Sequence, residues 1–308
     1  MKRCIILPAL GLAVARPSTA QDYPKPTPAG DTALDSLIRR CVAAGGLQSQ
    51  RGLLGLGPIR LRIGDQEKLR AAIVADRATL NPAVTDALIA RWQVVSGDHQ
   101  EALVTLLRVA GDVADDGRAG AFATLFEALR GRDADGGIAL LEDAARRFLS
   151  CEERTWQAAC YNEIGAVLGG RAAFARALEA HHKALEIRRA ALGERHPQVA
   201  DSYNGIAVVY HAQGEHARAL EAHLKALEIG RAGLGERHPD VAASYYNIAL
   251  VYRDQGEHAR ALEAHLRALE IRRAALGERH PHVADSYNGI AVVYLALGEH
   301  ARALEAHL

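Results

Sequence analysis

Apolar residues recur every three to four positions along most of the chain, the period of a helix with one buried face. After Pro197, the residues Val199, Tyr203, Ile206, Ala207 and Tyr210 form one such stripe. Proline suits the first position of a helix, where its missing N–H costs nothing. Gly214 predicts the stop, because glycine takes the left-handed conformation cheaply. A second helix follows, with Ala219, Leu220, His223, Leu224, Ala226, Leu227 and Ile229 as its stripe, and Gly235 closes it ahead of His238-Pro239. Small residues at Ala207, Ala219 and Ala226 let the two helices approach closely. The unit is a helix hairpin, and one hairpin cannot bury both of its faces, so hairpins must stack.

The pattern repeats. His196-Pro197, His238-Pro239 and His280-Pro281 recur every 42 residues, and so does the run from Gly214 to Leu220. Residues 196–224 and 280–308 differ only at Gln198/His282, His211/Leu295 and Gln213/Leu297. Packing cannot demand identity at exposed positions as well as buried ones, so duplication is the simpler explanation. Upstream, Asp65 to Ser150 reads as helix after helix. Pro82 opens a stripe of Val84, Leu88, Ile89, Trp92 and Val95, and breaks fall at Gly97-Asp98, at 131–137 and at Gly169-Gly170. Steps of 34 to 38 residues between breaks suggest degenerate repeats. Asp31 looks like the N-cap of a short helix carrying Leu34, Leu37, Ile38 and Val42. Ile59, Leu61 and Ile63 alternate with Arg60 and Arg62, a strand-like period too short to claim a sheet.

The spacing Tyr203…Ile206-Ala207…Tyr210…Gly214…Ala219…Ala226-Leu227 resembles the tetratricopeptide repeat. The 42-residue period with its Leu-Gly-Glu-Arg-His-Pro connector is similar to the variant of kinesin light chains and many bacterial repeat proteins. The resemblance is strong from Tyr161 to Leu308 and weak from Asp65 to Ser150. It departs where Tyr246 stands for Asn204 and Asn288, and where Ala172 stands for Gly214. It implies an all-α fold, a right-handed superhelix of helix hairpins (an α-solenoid), whose concave face binds peptides or proteins. By that resemblance the inward positions are Asn162; Asp201, Asn204, Val208 and His211; Tyr246, Leu250 and Arg253; and Asp285, Asn288 and Val292. An asparagine amide offers an extended peptide both a donor and an acceptor.

Composition narrows the function. Lys plus Arg equals Asp plus Glu at 37 each, so net charge gives no footprint for nucleic acid. The first twenty residues read as a secretory signal. Lys2 and Arg3 precede an apolar run from Ile5 to Ala15, and Ser18-Thr19-Ala20 fits a cleavage site before Gln21. The run is shorter than the roughly 20 residues a membrane span needs, so no stable span is expected. The expected residence is periplasmic or extracellular. Residues 21–30, with Pro24, Pro26 and Pro28, read as a linker, 31–150 as a helical region and 151–308 as the repeat array, its last repeat truncated. That end points to a chain that continues, to a covering partner or to self-association. Cys41, Cys151 and Cys160 remain after cleavage, an odd number best read as structural buried thiols.

No catalytic signature stands out: no phosphate-binding glycine loop, no His-Glu-x-x-His and no nucleophile elbow. His216 and His223 lie seven apart on one helix face, but neither Cys nor carboxylate completes a zinc set, so packing is the expected role and no cofactor is expected. Glu221, Glu228 and Arg231 read as a solvated face. The sequence therefore points to a non-enzymatic scaffold that binds a peptide or protein through Asn162, Asp201, Asn204, His211, Tyr246, Arg253, Asp285 and Asn288. The alternative is a recruiting arm of a larger enzyme, a kinase or caspase-like protease, whose catalytic domain lies outside this chain. A weaker third is an enzyme within 31–150.

Overall fold

The computed structural model describes residues 27–50, 60–93, 98–131 and 136–307. The expected signal segment, residues 21–26 of the expected linker, Ile59 and Val95 lie outside them. The chain divides into two compact units between Cys160 and Tyr161, ten residues beyond the start expected for the array.

The first unit holds α1 (Pro28–Ala43), β1 (Leu47–Gln50), β2 (Arg60–Ile63), α2 (Gln66–Ala75), a 3-10 turn (Arg77–Thr79), α3 (Pro82–Gln93), α4 (Asp98–Ala114), α5 (Gly117–Arg130), α6 (Gly137–Ser150) and the start of α7 (Arg154–Gly170). Helix α1 begins earlier than Asp31. The Thr27 hydroxyl accepts from the Gly30 N–H at 3.1 Å, and Pro28 takes the first helical position. Asp31 sits in the first turn instead, where its charge complements the helix dipole. The last residues of the expected linker are therefore helix. The alternation at Arg60–Ile63 is a true strand. It pairs antiparallel with β1, Leu47 opposite Ile63, and turns Leu47 and Leu61 into the core.

Aromatic rings fill the centre of this unit. Trp92 stacks on Phe126 at 3.9 Å between centroids, and Phe148 and Trp156 meet Phe122 edge-on at 4.9 and 4.8 Å. Such pairs add about 0.5–1.5 kcal/mol each beyond their area. Cys41 is buried, and burial, with Asp76 adding to it, pushes its thiol up to about 11. Cys160 is also buried, whereas Cys151 is a half-buried free thiol.

The second unit continues α7 and adds α8 (Phe174–Leu192), α9 (Pro197–Ala212), α10 (His216–Leu234), α11 (Pro239–Asp254), α12 (His258–Leu276), α13 (Pro281–Ala296) and α14 (His300–His307). Helices α9 and α10 form one hairpin, α11 and α12 the next, α13 and α14 the last, and each hairpin packs on its neighbour. This is an all-α solenoid. Val199, Ile206, Ala207 and Tyr210 pack with Ala219, Ala222, Leu185 and Val251, so each core cluster joins adjacent hairpins. Leu224 departs from its expected stripe: it is 46% exposed, as is Leu266 one repeat on. It lies one position beyond His223, which takes the inward place.

Two local devices set the hairpin ends. His196, His238 and His280 are N-caps, their Nδ1 atoms accepting the N–H of Gln198, Asp240 and His282 at 3.2–3.3 Å. Each imidazole does the work usually left to Ser, Thr, Asp or Asn. At the turn inside the hairpin Gly214, Gly256 and Gly298 have φ of 76–77°, and Ala172 takes the same left-handed conformation at φ 58°.

Candidate functional site

The first helices α9, α11 and α13 present one stripe made of the predicted positions. On α9, Asp201, Asn204, Val208 and His211 are half-buried; on α11, Tyr246, Leu250 and Arg253 are half-buried; on α13, Asp285, Asn288 and Val292 are exposed. They fall on one face because steps of three and four residues advance about one helical turn. Polar contacts join the stripe across hairpins. His211 Nε2 donates to Asp254 Oδ2 at 2.8 Å, and Arg253 donates to Asp254 Oδ1 at 2.7 and 2.8 Å. Burial raises the Asp254 carboxyl, but those hydrogen bonds outweigh it and hold the group below its ordinary range. The basic edge of the stripe is thus internally neutralised.

The asparagines are placed differently from the simple expectation. Asn162 Oδ1 accepts from His181 Nδ1 at 2.8 Å, and Asn204 Oδ1 accepts from His223 Nδ1 at 2.9 Å. Asn204 Nδ2 also reaches Ser244 Oγ at 3.5 Å. Both carbonyl oxygens serve the packing of their own hairpin, nineteen residues away in each case, and are not open acceptors for a peptide. His181 and His223 are almost fully buried. Burial is the main force that lowers their pKa values, to about 4 and about 3, with cationic Arg188 acting on His181 and His211 on His223. Each therefore stays neutral and donates from Nδ1. His216 lies 5.6 Å from His211, ring to ring, and is a packing residue as expected.

Sequence reasoning missed two sets of interior polar groups. Histidines 181 and 265 wedge against glycines of the packed helices. A Cβ on Gly165 or Gly205 would fall 2.6 or 2.5 Å from the His181 ring, and one on Gly289 would fall 2.5 Å from His265. The signal was glycine opposite histidine, visible only once the helices are paired. The second set is Arg188 and Arg272. They are buried, and each donates from Nη1 to a serine hydroxyl of the next hairpin, Ser202 at 2.9 Å and Ser286 at 2.8 Å. Arg272 also lies over the Tyr246 ring at 4.7 Å. Burial and the Asp285 carboxylate push the Tyr246 hydroxyl up, against the pull of Arg272 and Arg253.

Among the described residues no group of three His, Cys, Asp or Glu side chains is placed to hold a metal ion. No described helix is long and apolar enough to cross a membrane.

Comparison with known proteins agrees with this architecture. The tetratricopeptide repeat family model matches residues 156–232, 203–273 and 240–308. No curated protein matches the chain. Among solved structures, BtubC from P. vanneervenii superposes with a TM-score of 0.53 at 20% identity, over 77% of this chain and 87% of its own. A kinesin light chain with nearly identical repeats from Podosopora anserina gives 0.50 at 23%, over 60% and 89%. A Rap protein complexed with Competence and Sporulation Factor gives 0.56 at 15%, over 90% and 74%. At these identities the likeness shows the fold alone.

Proposed function

We propose that this chain, whose residues 156–308 belong to the tetratricopeptide repeat family and carry its kinesin-light-chain type of repeat, is a protein-interaction scaffold that holds a peptide or protein along the stripe of α9, α11 and α13. The observation that carries the reading is the continuity of that stripe. Polar and apolar groups, half-buried at Asp201, Tyr246, Leu250 and Arg253 and exposed at Asp285, Asn288 and Val292, follow one another from hairpin to hairpin. A continuous row of such groups offers a ligand more contact than isolated surface side chains, because binding completes the desolvation of the half-buried ones. The Rap protein of similar fold holds a partner, which supports the same use of stacked hairpins here.

In this reading Asn288, Tyr246, Arg253, Asp285, Asp201 and His211 contact the partner, while Asn162 and Asn204 hold the trough in shape. Catalysis forms no part of it. Export after cleavage between Ala20 and Gln21 belongs to the same proposal, supported by Lys2, Arg3 and the apolar run that follows.

The test is site-specific photocrosslinking in the host. A crosslinker at position 253 or 288 is expected to trap a discrete adduct, and one at position 221 on the second helix is not. Equal adducts at all three positions, or none at 253 and 288, would rule the stripe out.

A further inference from the structure

The three 42-residue units 183–224, 225–266 and 267–308 differ at only eleven positions. Eight of these lie on the first helix of each hairpin or its C-cap, at 198, 201, 204, 205, 208, 211, 212 and 213 in the first unit. Their spacing follows the stripe just described. The second helices provide the control. Arg218, Glu221 and Leu224 are exposed, and so are their counterparts Arg260, Glu263 and Leu266, yet all are unchanged through the three units. Tolerance at the surface would have varied both faces. Divergence has gone to one of them.

The middle unit differs most, and its differences act together. Asp201 and Asp285 each accompany a buried arginine, Arg188 and Arg272; in the middle unit both are lost at once, as Ala243 and Gly230. Tyr246 replaces asparagine, Leu250 replaces valine and Arg253 brings Asp254 as its own counter-charge. The Tyr246 exchange works against the fold. It leaves both ring nitrogens of fully buried His265 without a partner, where His181 and His223 each bond an asparagine. A residue that breaks a local rule of its own repeat marks a functional position, and tyrosine is enriched among residues that dominate binding energy.

We propose that α11 is the selectivity helix of this trough, and that Tyr246 and Leu250 anchor an extended, uncharged peptide segment by one large apolar side chain. The inference rests on the scaffold reading above and names its ligand class. The apolar row runs Val208, Leu250, Val292, with its largest member in the middle beside Tyr246. Charge near that point is balanced: Arg253 is held by Asp254, and Asp285 lies near Arg272. A charged ligand residue would be desolvated there with no free counter-charge, whereas an apolar one would bury surface at no electrostatic cost.

The experiment selects a random-sequence peptide library, displayed on phage, against the full chain. Binding of a synthetic copy of an enriched peptide is then measured by fluorescence anisotropy. Enriched peptides are expected to share a large apolar residue within an uncharged stretch. The double variant Tyr246→Asn/Leu250→Val installs the residues of both flanking units and should weaken binding tenfold or more, while Leu224→Ala on the second helix leaves it unchanged. If the double variant loses helicity, Leu250→Val alone should still weaken binding severalfold. Enrichment of highly charged peptides overturns the ligand class. Unchanged binding to the double variant, with loss on Asn288→Ala, overturns the role of α11 and leaves the scaffold reading standing. Absence of enriched peptides, or binding that ignores every stripe variant, overturns both.

Discussion

Tyr246 and His265 meet edge to face, with ring centroids 5.1 Å apart, at the place where two earlier hairpins form an asparagine–histidine hydrogen bond. The edge contact is worth about 0.5–1.5 kcal/mol. A buried imidazole without partners costs about 1–3 kcal/mol. The hairpin α11–α12 thus gives up stability at the middle of the stripe, next to the residues assigned to the proposed ligand.

The two asparagines first expected to act alike should behave differently. Asn204→Ala removes the acceptor of buried His223 and should lower stability by about 1–3 kcal/mol. Asn288 is exposed, and Asn288→Ala should change stability by less than about 0.5 kcal/mol. Urea unfolding of the two variants checks this; equal losses would contradict the internal role of Asn204.

Acid should loosen the second unit through its buried histidines. Burial lowers His181 and His265 to about 4 and His223 to about 3. The unfolded chain binds these protons near pH 6.5, and the folded chain refuses them. Stability is therefore full above about pH 6.5 and falls as pH drops towards the folded values. Arg188 and His182 at His181, His211 at His223, and Arg253 and Arg272 at His265 act in the same direction as burial. Between pH 6.5 and 5 each histidine should remove about 1.5 kcal/mol. Urea midpoints at pH 7 and pH 5 should show the loss, and His223→Gln should reduce it by roughly a third. A midpoint unchanged down to pH 5 would refute the neutral interior histidines.

Ala172 adopts the left-handed conformation that glycine occupies in the three later turns. An L-residue there is strained by about 1–2 kcal/mol. Ala172→Gly should raise stability by about 1 kcal/mol, and Gly214→Ala should lower it by a similar amount. Thermal melts of both variants decide the point, since side-chain contacts alone predict no gain for the first.

Arg272 and Asp285 should behave as a pair. Arg272→Gly with Asp285→Ala reproduces the middle unit, which has Gly230 and Ala243 at these places. The double variant should cost about 0.5–3 kcal/mol less than the sum of the two single variants. Strict additivity in the double-mutant cycle would show that the two positions are independent.

Much of the architecture was legible beforehand. Hairpins, their 42-residue period and their ends follow from the 3.6-residue stripe, from Pro197 and its counterparts, and from Gly214 and Gly235. These are local signals, carried by residues within one or two turns of each other. The stripe of candidate site residues was legible for the same reason, since spacing along a helix sets which side chains share a face. The start of α1 was misjudged because Thr27-Pro28 is itself a strong helix start, and it precedes Asp31 by a turn.

Sequence by itself determined that this chain stacks helix hairpins and which residues line one face of the first helices. Only tertiary structure decided which polar groups are interior. Asn204 looked ready for a ligand, and nothing along the chain marked Arg188 as interior. Their roles depend on distant partners: His223 on the return helix for Asn204, nineteen residues away, and Ser202 on the first helix of the next hairpin for Arg188. Helical periodicity gives the direction in which a side chain leaves its own helix; whether it meets water or a glycine-made gap depends on the neighbour packed against it.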